Sequence, residues 1–287
     1  MQNKLGIYYA FLAASDNVDW FDCLERAKAS GLDLLEMSVP KLRMLSKSKR
    51  DAIAEHACKL GMQLTFATAL TQETDLSSDD PNICAQGIKQ MREDLHMIAD
   101  MGGIAMGGVL TNVSKHFPEG IEHFRGRAVN NAIHALQAVA QTAEKLGINL
   151  GMEVVNRFES PLINTCEEAM SAIEAVTSPR LGVHLDTFHM NIEEAAPAGA
   201  IQYAGQRLIH FHICENDRSL PGHGHINWQS VFAALKSAQY TGPIVIESLP
   251  GPYGTIAGRL NIWRKLSLDV DKELAAVVHF LRELMEE

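Results

Sequence analysis

The sequence predicts an α/β protein folded as a single (β/α)8 TIM barrel over residues 1–287. Three observations carry this expectation. Short apolar runs alternate eight times with longer segments of helical character. A leucine–glycine step recurs where a helix hands over to a strand, at Leu60-Gly61 and Leu146-Gly147, with Ser30-Gly31 similar. Glycine suits the left-handed residue that closes a helix. Finally, no low-complexity linker or break in composition divides the chain, and barrels of this class run to about 250 residues as one domain.

In order, residues 5–10 read as the first strand, followed by a helix over 19–30 closed by Gly31. Residues 32–39 form the second strand, and a helix over 46–60 stops at Gly61. The third strand is 63–70. Asp80-Pro81 then gives an N-cap followed by proline at the first helical position, and the helix it opens ends at Gly102-Gly103. The fourth strand is 104–110, the next helix 124–146, and the fifth strand 148–155. Thr165 with Glu168 three residues on fits a capping box and opens a helix to Val176. The sixth strand is 181–185, with a helix near Pro197–Ala204 and the seventh strand at Leu208–Ile213. Asn227 caps a helix over 228–239, and 244–248 is the eighth strand. Leu274, Val277, Val278, Leu281 and Leu284 share one face of a last helix. A doubly wound open sheet is the competing fold. It usually carries a glycine-rich phosphate turn after its first strand, and Tyr9-Ala10-Phe11-Leu12 has none.

A hydrophobic fraction of 46% supplies a large core. The net charge of −10, from 25 basic and 35 acidic residues, disfavours nucleic acid or an anionic membrane as partner. Five scattered cysteines without a C-x-x-C pair suggest reduced thiols in a cytoplasmic protein. No signal peptide and no membrane-length apolar stretch is read.

The chemistry gathers around residues 184–194, where the apolar run Leu181-Gly182-Val183 meets Asp186, His189, Glu193 and Glu194. A carboxylate ending a buried strand needs a cation, because an isolated buried charge is too costly. A nearby lysine or arginine would serve; so would a metal ion. In a (β/α)8 barrel the chemistry sits at the C-terminal ends of the strands, and three more candidate ligands lie there: Glu153 on strand five, His212 on strand seven and Glu247 on strand eight. The spacings are 33 residues from Glu153 to Asp186, 26 on to His212 and 35 on to Glu247, about one strand–helix unit each. Three carboxylates and an imidazole form an oxygen-rich set suited to Mn²⁺, Mg²⁺ or Co²⁺ in an octahedral shell. Around them, Glu159, His189 and Arg218 are placed to bind hydroxyls of a polar substrate. His223 and His225 read as a solvated loop.

Several strings resemble one family. Glu153-Val154-Val155-Asn156-Arg157-Phe158-Glu159, Leu185-Asp186-Thr187-Phe188-His189-Met190-Asn191-Ile192-Glu193-Glu194 and His210-Phe211-His212 are similar to the D-tagatose 3-epimerase family of ketose 3-epimerases, within the xylose-isomerase-like barrels. The Pro221-Gly222-x-Gly224 loop, Trp228 and Ile246-Glu247 are similar too. The resemblance implies one divalent ion, commonly manganese, on the residues matching Glu153, Asp186, His212 and Glu247. It implies substrate contacts from Glu159, His189 and Arg218, and a homodimer or homotetramer. The chain departs from the pattern after strand four, where an aromatic often covers the sugar and this sequence reads Leu110-Thr111-Asn112-Val113-Ser114. It departs again after strand three, at Ala67-Thr68-Ala69.

The expected reaction inverts C3 of a free ketose. Moving a proton from one face of a carbon to the other asks for two acid/base groups, and Glu153 and Glu247 are the candidates. The competing reading is an aldose–ketose or hydroxypyruvate isomerase on the same metal site, which returns its proton to one face. A DNA-cleaving barrel wants more metal ligands and a basic surface. A sugar-binding protein with a structural metal would bind without turnover.

Overall fold

A computed structural model describes residues 1–13 and 15–286. Its eight strands are β1 (Leu5–Tyr8), β2 (Leu34–Ser38), β3 (Gln63–Ala69), β4 (Ala105–Val109), β5 (Asn149–Glu153), β6 (Leu181–Asp186), β7 (Leu208–Ile213) and β8 (Ile244–Ile246). Each pairs in parallel with its neighbours in sequence, and β8 closes back onto β1, giving the expected closed barrel. The strands are buried on both faces, as a parallel barrel inside a ring of helices requires.

The helix ends follow the sequence signals. Asp19, Ser46, Asp80, Thr165 and Asn227 each accept backbone N–H groups at the start of a helix. Thr165 and Glu168 form the reciprocal capping box. Gly31, Gly61 and Gly147 take positive φ, at 83°, 66° and 72°. Several boundaries move. β1 ends at Tyr8 and a 3₁₀ turn occupies Tyr9–Phe11, where the sequence suggested strand to residue 10. β8 is three residues long, although the Glu247 N–H still donates to Ile213 O at 3.0 Å. The long helix starts earlier than expected, at Ile121. Three short helices were not expected: Val39–Arg43, Thr187–Glu193 and Gly254–Arg259. All three lie beyond strand ends, where the site is built.

The barrel interior is not wholly apolar. Glu36 on β2, Thr65 on β3, His184 on β6 and His210 on β7 are all buried there. The β6–β7 register shifts between Val183 and His184, which sets His184 beside His210 and Asp186 beside His212. Gly107 on β4 makes room for this layer: a Cβ there would lie 2.9 Å from His184 Nδ1.

One ion pair fastens the outer helix Pro81–Asp100 to the short helix Val39–Arg43 beyond β2. Arg43 makes two bonds to Asp94, Nε to Oδ1 at 2.7 Å and Nη2 to Oδ2 at 2.6 Å. Asp94 is buried, whereas a quarter of the Arg43 side chain is exposed. Losing the carboxylate leaves a partly hydrated guanidinium, a cost below that of a fully buried orphan charge. Asp94→Ala is therefore expected to destabilise the protein by about 1–3 kcal/mol. Thermal and urea unfolding check this; an unchanged melting temperature would remove the pair from any account of stability.

Candidate metal centre and active site

The four candidate ligands come together. Glu153 and Asp186 are the last residues of β5 and β6, His212 is next to last in β7, and Glu247 directly follows β8. One ligand atom from each lies within 4.8 Å of all the others. Asp186 and His212 are fully buried at the floor, while Glu153 and Glu247 are a little more open above them.

His212 tests whether this group suits a cation. Its Nε2 lies 2.6 Å from Glu36 Oε1. Its Nδ1 is buried without a hydrogen-bond partner, 3.4 Å from Glu247 Oε2. A bare ring nitrogen among three carboxylates is a donor set that fits a divalent ion.

Arg218 supplies the other expected counter-charge. Its Nη1 donates to Asp186 Oδ2 at 2.7 Å and to Glu247 Oε2 at 2.6 Å. So the arginine and metal readings of the Asp186 charge are not exclusive, since both fit around the same carboxylates. Arg218 is itself buried, and its guanidinium lies 4.2 Å from the centre of the Phe188 ring. Its backbone sits at φ 69°, a left-handed conformation costly for a non-glycine residue and common where a site demands it. Asp186 Oδ1 meanwhile accepts the Phe188 N–H at 2.8 Å and so caps the helix Thr187–Glu193.

That helix presents His189. Its Nδ1 accepts from the Asn156 backbone N–H at 3.2 Å, with Asn156 Nδ2 at 2.8 Å. Its Nε2 lies 3.2 Å from Arg218 Nη2, which can only donate, and faces Glu153 Oε1 at 3.8 Å and Asp186 Oδ2 at 4.0 Å. Burial pushes the His189 pKa down to about 3, against the pull of Asp186, so the ring is neutral at physiological pH. Glu159 stands on the wall: Oε2 accepts from Ser114 Oγ at 2.8 Å, and Oε1 lies 3.3 Å from Lys115 Nζ. Glu153, Glu159, His189, Arg218 and Glu247 all line one cavity of about 410 Å³, which Tyr8 also borders. All seven site residues expected from sequence thus converge on one place.

The two glutamates differ in proton affinity. Burial raises the Glu153 pKa well above the usual carboxylate range, and the neighbouring Glu247 charge raises it further. Burial also works on Glu247, but Arg218 and His212 outweigh it and hold that group down to about 2. Their surroundings push the two carboxyls in opposite directions, the pattern of an acid–base pair.

Other polar residues singled out in the sequence have structural duties. Glu193 makes a two-point pair with Arg157, and Glu194 accepts the Cys166 N–H. Glu215 accepts from Gly222 N, Ile226 N and Trp228 Nε1, which pins the loop carrying His223 and His225. Those two histidines are exposed, as expected. Sequence reasoning missed Glu36. Burial alone would raise its pKa, but His212 and His210 together hold it well below the usual range. The available signal was a single acid inside the apolar strand Leu34-Leu35-Glu36-Met37.

The profile of the xylose isomerase-like TIM barrel family matches residues 24–265. D-psicose 3-epimerase of Enterocloster bolteae is 34% identical, covering 94% of this chain and 90% of that protein. L-ribulose 3-epimerase of Methylomonas sp. is 32% identical, covering 90% and 88%. A crystal structure of D-psicose 3-epimerase in the presence of D-fructose matches with a TM-score of 0.94 at 29% identity, covering 99% of this chain and 100% of that one.

Proposed function

We propose, because the chain belongs to the xylose isomerase-like TIM barrel family, that it inverts C3 of a free ketose, with Glu153 and Glu247 as its two acid/base groups. It is an isomerase of the epimerase kind. The observation that carries the finer reading is that Glu153 and Glu247 come together at the strand ends and line one cavity.

Glu247, ionised, takes the C3 proton from one face. Glu153, protonated, returns one to the other face, and the roles exchange in the reverse reaction. The charge that develops on O2 and O3 of the enediolate meets the Arg218 guanidinium, a buried fixed donor, with His189 lining the cavity beside it. Glu159 is placed on the cavity wall to accept from sugar hydroxyls. Glu153, Asp186, His212 and Glu247 would hold the ion, Mn²⁺ best by this donor set, with Co²⁺ or Mg²⁺ also suited. When bound, it supplies Lewis-acid stabilisation of that same negative charge. Val109, Ile256 and Leu260 border the cavity, as does Ser114 in the stretch 110–114 after β4, which carries no aromatic. Aliphatic contacts of this kind separate substrates by only about 10–200-fold, so several ketopentoses and ketohexoses should be accepted. The five cysteines are all unpaired, which supports a cytoplasmic setting.

The test incubates purified protein, Mn²⁺-loaded or chelator-treated, with D-psicose, D-tagatose, L-ribulose and a ketose phosphate in deuterated water. C3 epimers should form with deuterium at C3. Activity should vanish on chelation and return with Mn²⁺. Full turnover by metal-free protein would sink the metal. Transfer of label from C1 to C2 without C3 exchange would replace the epimerase by an aldose–ketose isomerase. A preference of several orders of magnitude for the phosphate would end the free-ketose reading.

A further inference from the structure

Glu36 reaches His212 from across the barrel, since β2 and β7 are separated by β8 and β1. It is fully buried, as is Thr65 beside it. Both carboxylate oxygens are used. Oε1 takes His212 Nε2 at 2.6 Å. Oε2 takes His210 Nε2 at 2.7 Å and the Thr65 hydroxyl at 3.0 Å. None of these contacts is with Glu153, Asp186 or Glu247, so Glu36 stands one layer below the proposed ligands.

A neutral imidazole has one N–H and one lone pair. A hydrogen on Nε2, committed to Glu36, leaves the lone pair on Nδ1. That is the atom which is buried, has no partner and faces the other three ligands. The same bond stops the ring from turning about its χ2 axis. Thr65 and His210 in turn prevent the Glu36 carboxylate from rotating away. We infer that Glu36 is a positioning residue for the metal centre: it fixes the tautomer and ring plane of His212 so that Nδ1 is presented to the ion. The inference rests on the metal reading above. It assigns Glu36 no contact with substrate.

Partners of this kind behind a ligating histidine change metal affinity by about 10–100-fold when removed. The experiment compares the parent with Glu36→Gln and Thr65→Val. Mn²⁺ affinity is measured by chelator competition, and the bound ion is examined by pulsed EPR for coupling to a histidine nitrogen. Circular dichroism and melting are recorded without metal. Asp186→Asn is the control that loses a proposed ligand. Glu36→Gln should fold, bind Mn²⁺ about 10–100-fold more weakly, and show an altered or missing nitrogen coupling. Thr65→Val removes one of the two braces on Oε2 and should weaken binding less, in the same direction. It carries the test if Glu36→Gln does not fold. A merely structural Glu36 would lower the metal-free melting temperature while leaving affinity and nitrogen coupling at parent values, and that result overturns the inference. Two Mn²⁺ per parent chain, with one lost in Glu36→Gln, would overturn it too, by making Glu36 a ligand. A parent that binds no Mn²⁺ fails earlier: the metal reading then falls, which is distinct from a parent that binds and a Glu36→Gln that binds equally well.

Discussion

Glu247→Gln is expected to lower epimerisation by about 10²–10⁴-fold, the usual contribution of a positioned acid or base, and Glu153→Gln by a similar factor. The amide keeps the shape of each side chain and removes its ability to carry the proton. The two variants should differ in what survives. Arg218 and His212 lower the proton affinity of Glu247, whereas burial and the Glu247 charge raise that of Glu153. Each variant therefore keeps one face of C3 competent. Glu247→Gln should still exchange the C3 hydrogen of one epimer with deuterated water, and Glu153→Gln that of the other, while neither interconverts the pair. Bound metal must be measured in both, because each change also alters a proposed ligand. A metal-loaded variant that epimerises at the parent rate would end the two-base mechanism. Exchange on the same face in both variants would leave one base and call for a different proton donor.

The closed barrel and the convergence of the seven candidate residues were readable because they depend on local, repeated rules. A strand that meets Asp186 or Glu247 at its end, a helix closed by Gly61 or Gly147, and a four-ligand spacing of one unit each can all be seen without tertiary knowledge. Strand lengths were less readable. An apolar run says where burial continues, but a ladder stops where the neighbouring strand diverges. So β1 ends at Tyr8 although Tyr9, Ala10 and Phe11 remain buried. The helix Thr187–Glu193 was hidden for another reason. It starts because Asp186 turns its carboxylate onto the Phe188 N–H, and the sequence had already assigned that carboxylate to a cation. Glu36 was the larger omission. Its role exists only across the barrel, 176 residues from His212, and nothing in its neighbours announces a partner at that distance.

Arg218→Met should separate the arginine's structural role from its catalytic one. In the folded chain Arg218 Nη1 bonds both Asp186 and Glu247. Methionine keeps much of the stem's bulk and leaves those carboxylates facing Glu153 without the guanidinium between them. Breaking a buried pair by removing one partner costs about 3–5 kcal/mol, so the metal-free variant should melt well below the metal-free parent. A divalent ion restores positive charge among the same oxygens. Saturating Mn²⁺ should therefore raise the melting temperature of Arg218→Met more than that of the parent, for which an ion at 100 times its dissociation constant contributes about 2.7 kcal/mol. Activity should not return with stability. The guanidinium is also a fixed donor facing the developing enediolate charge, and losing one such donor costs about 10²–10³-fold in kcat. Melting curves with and without Mn²⁺, and kcat at saturating Mn²⁺, decide the matter. Equal melting of the metal-free parent and variant would show that Arg218 does not balance the buried carboxylates. A variant rescued by Mn²⁺ in both stability and kcat would make Arg218 a counter-charge and nothing more.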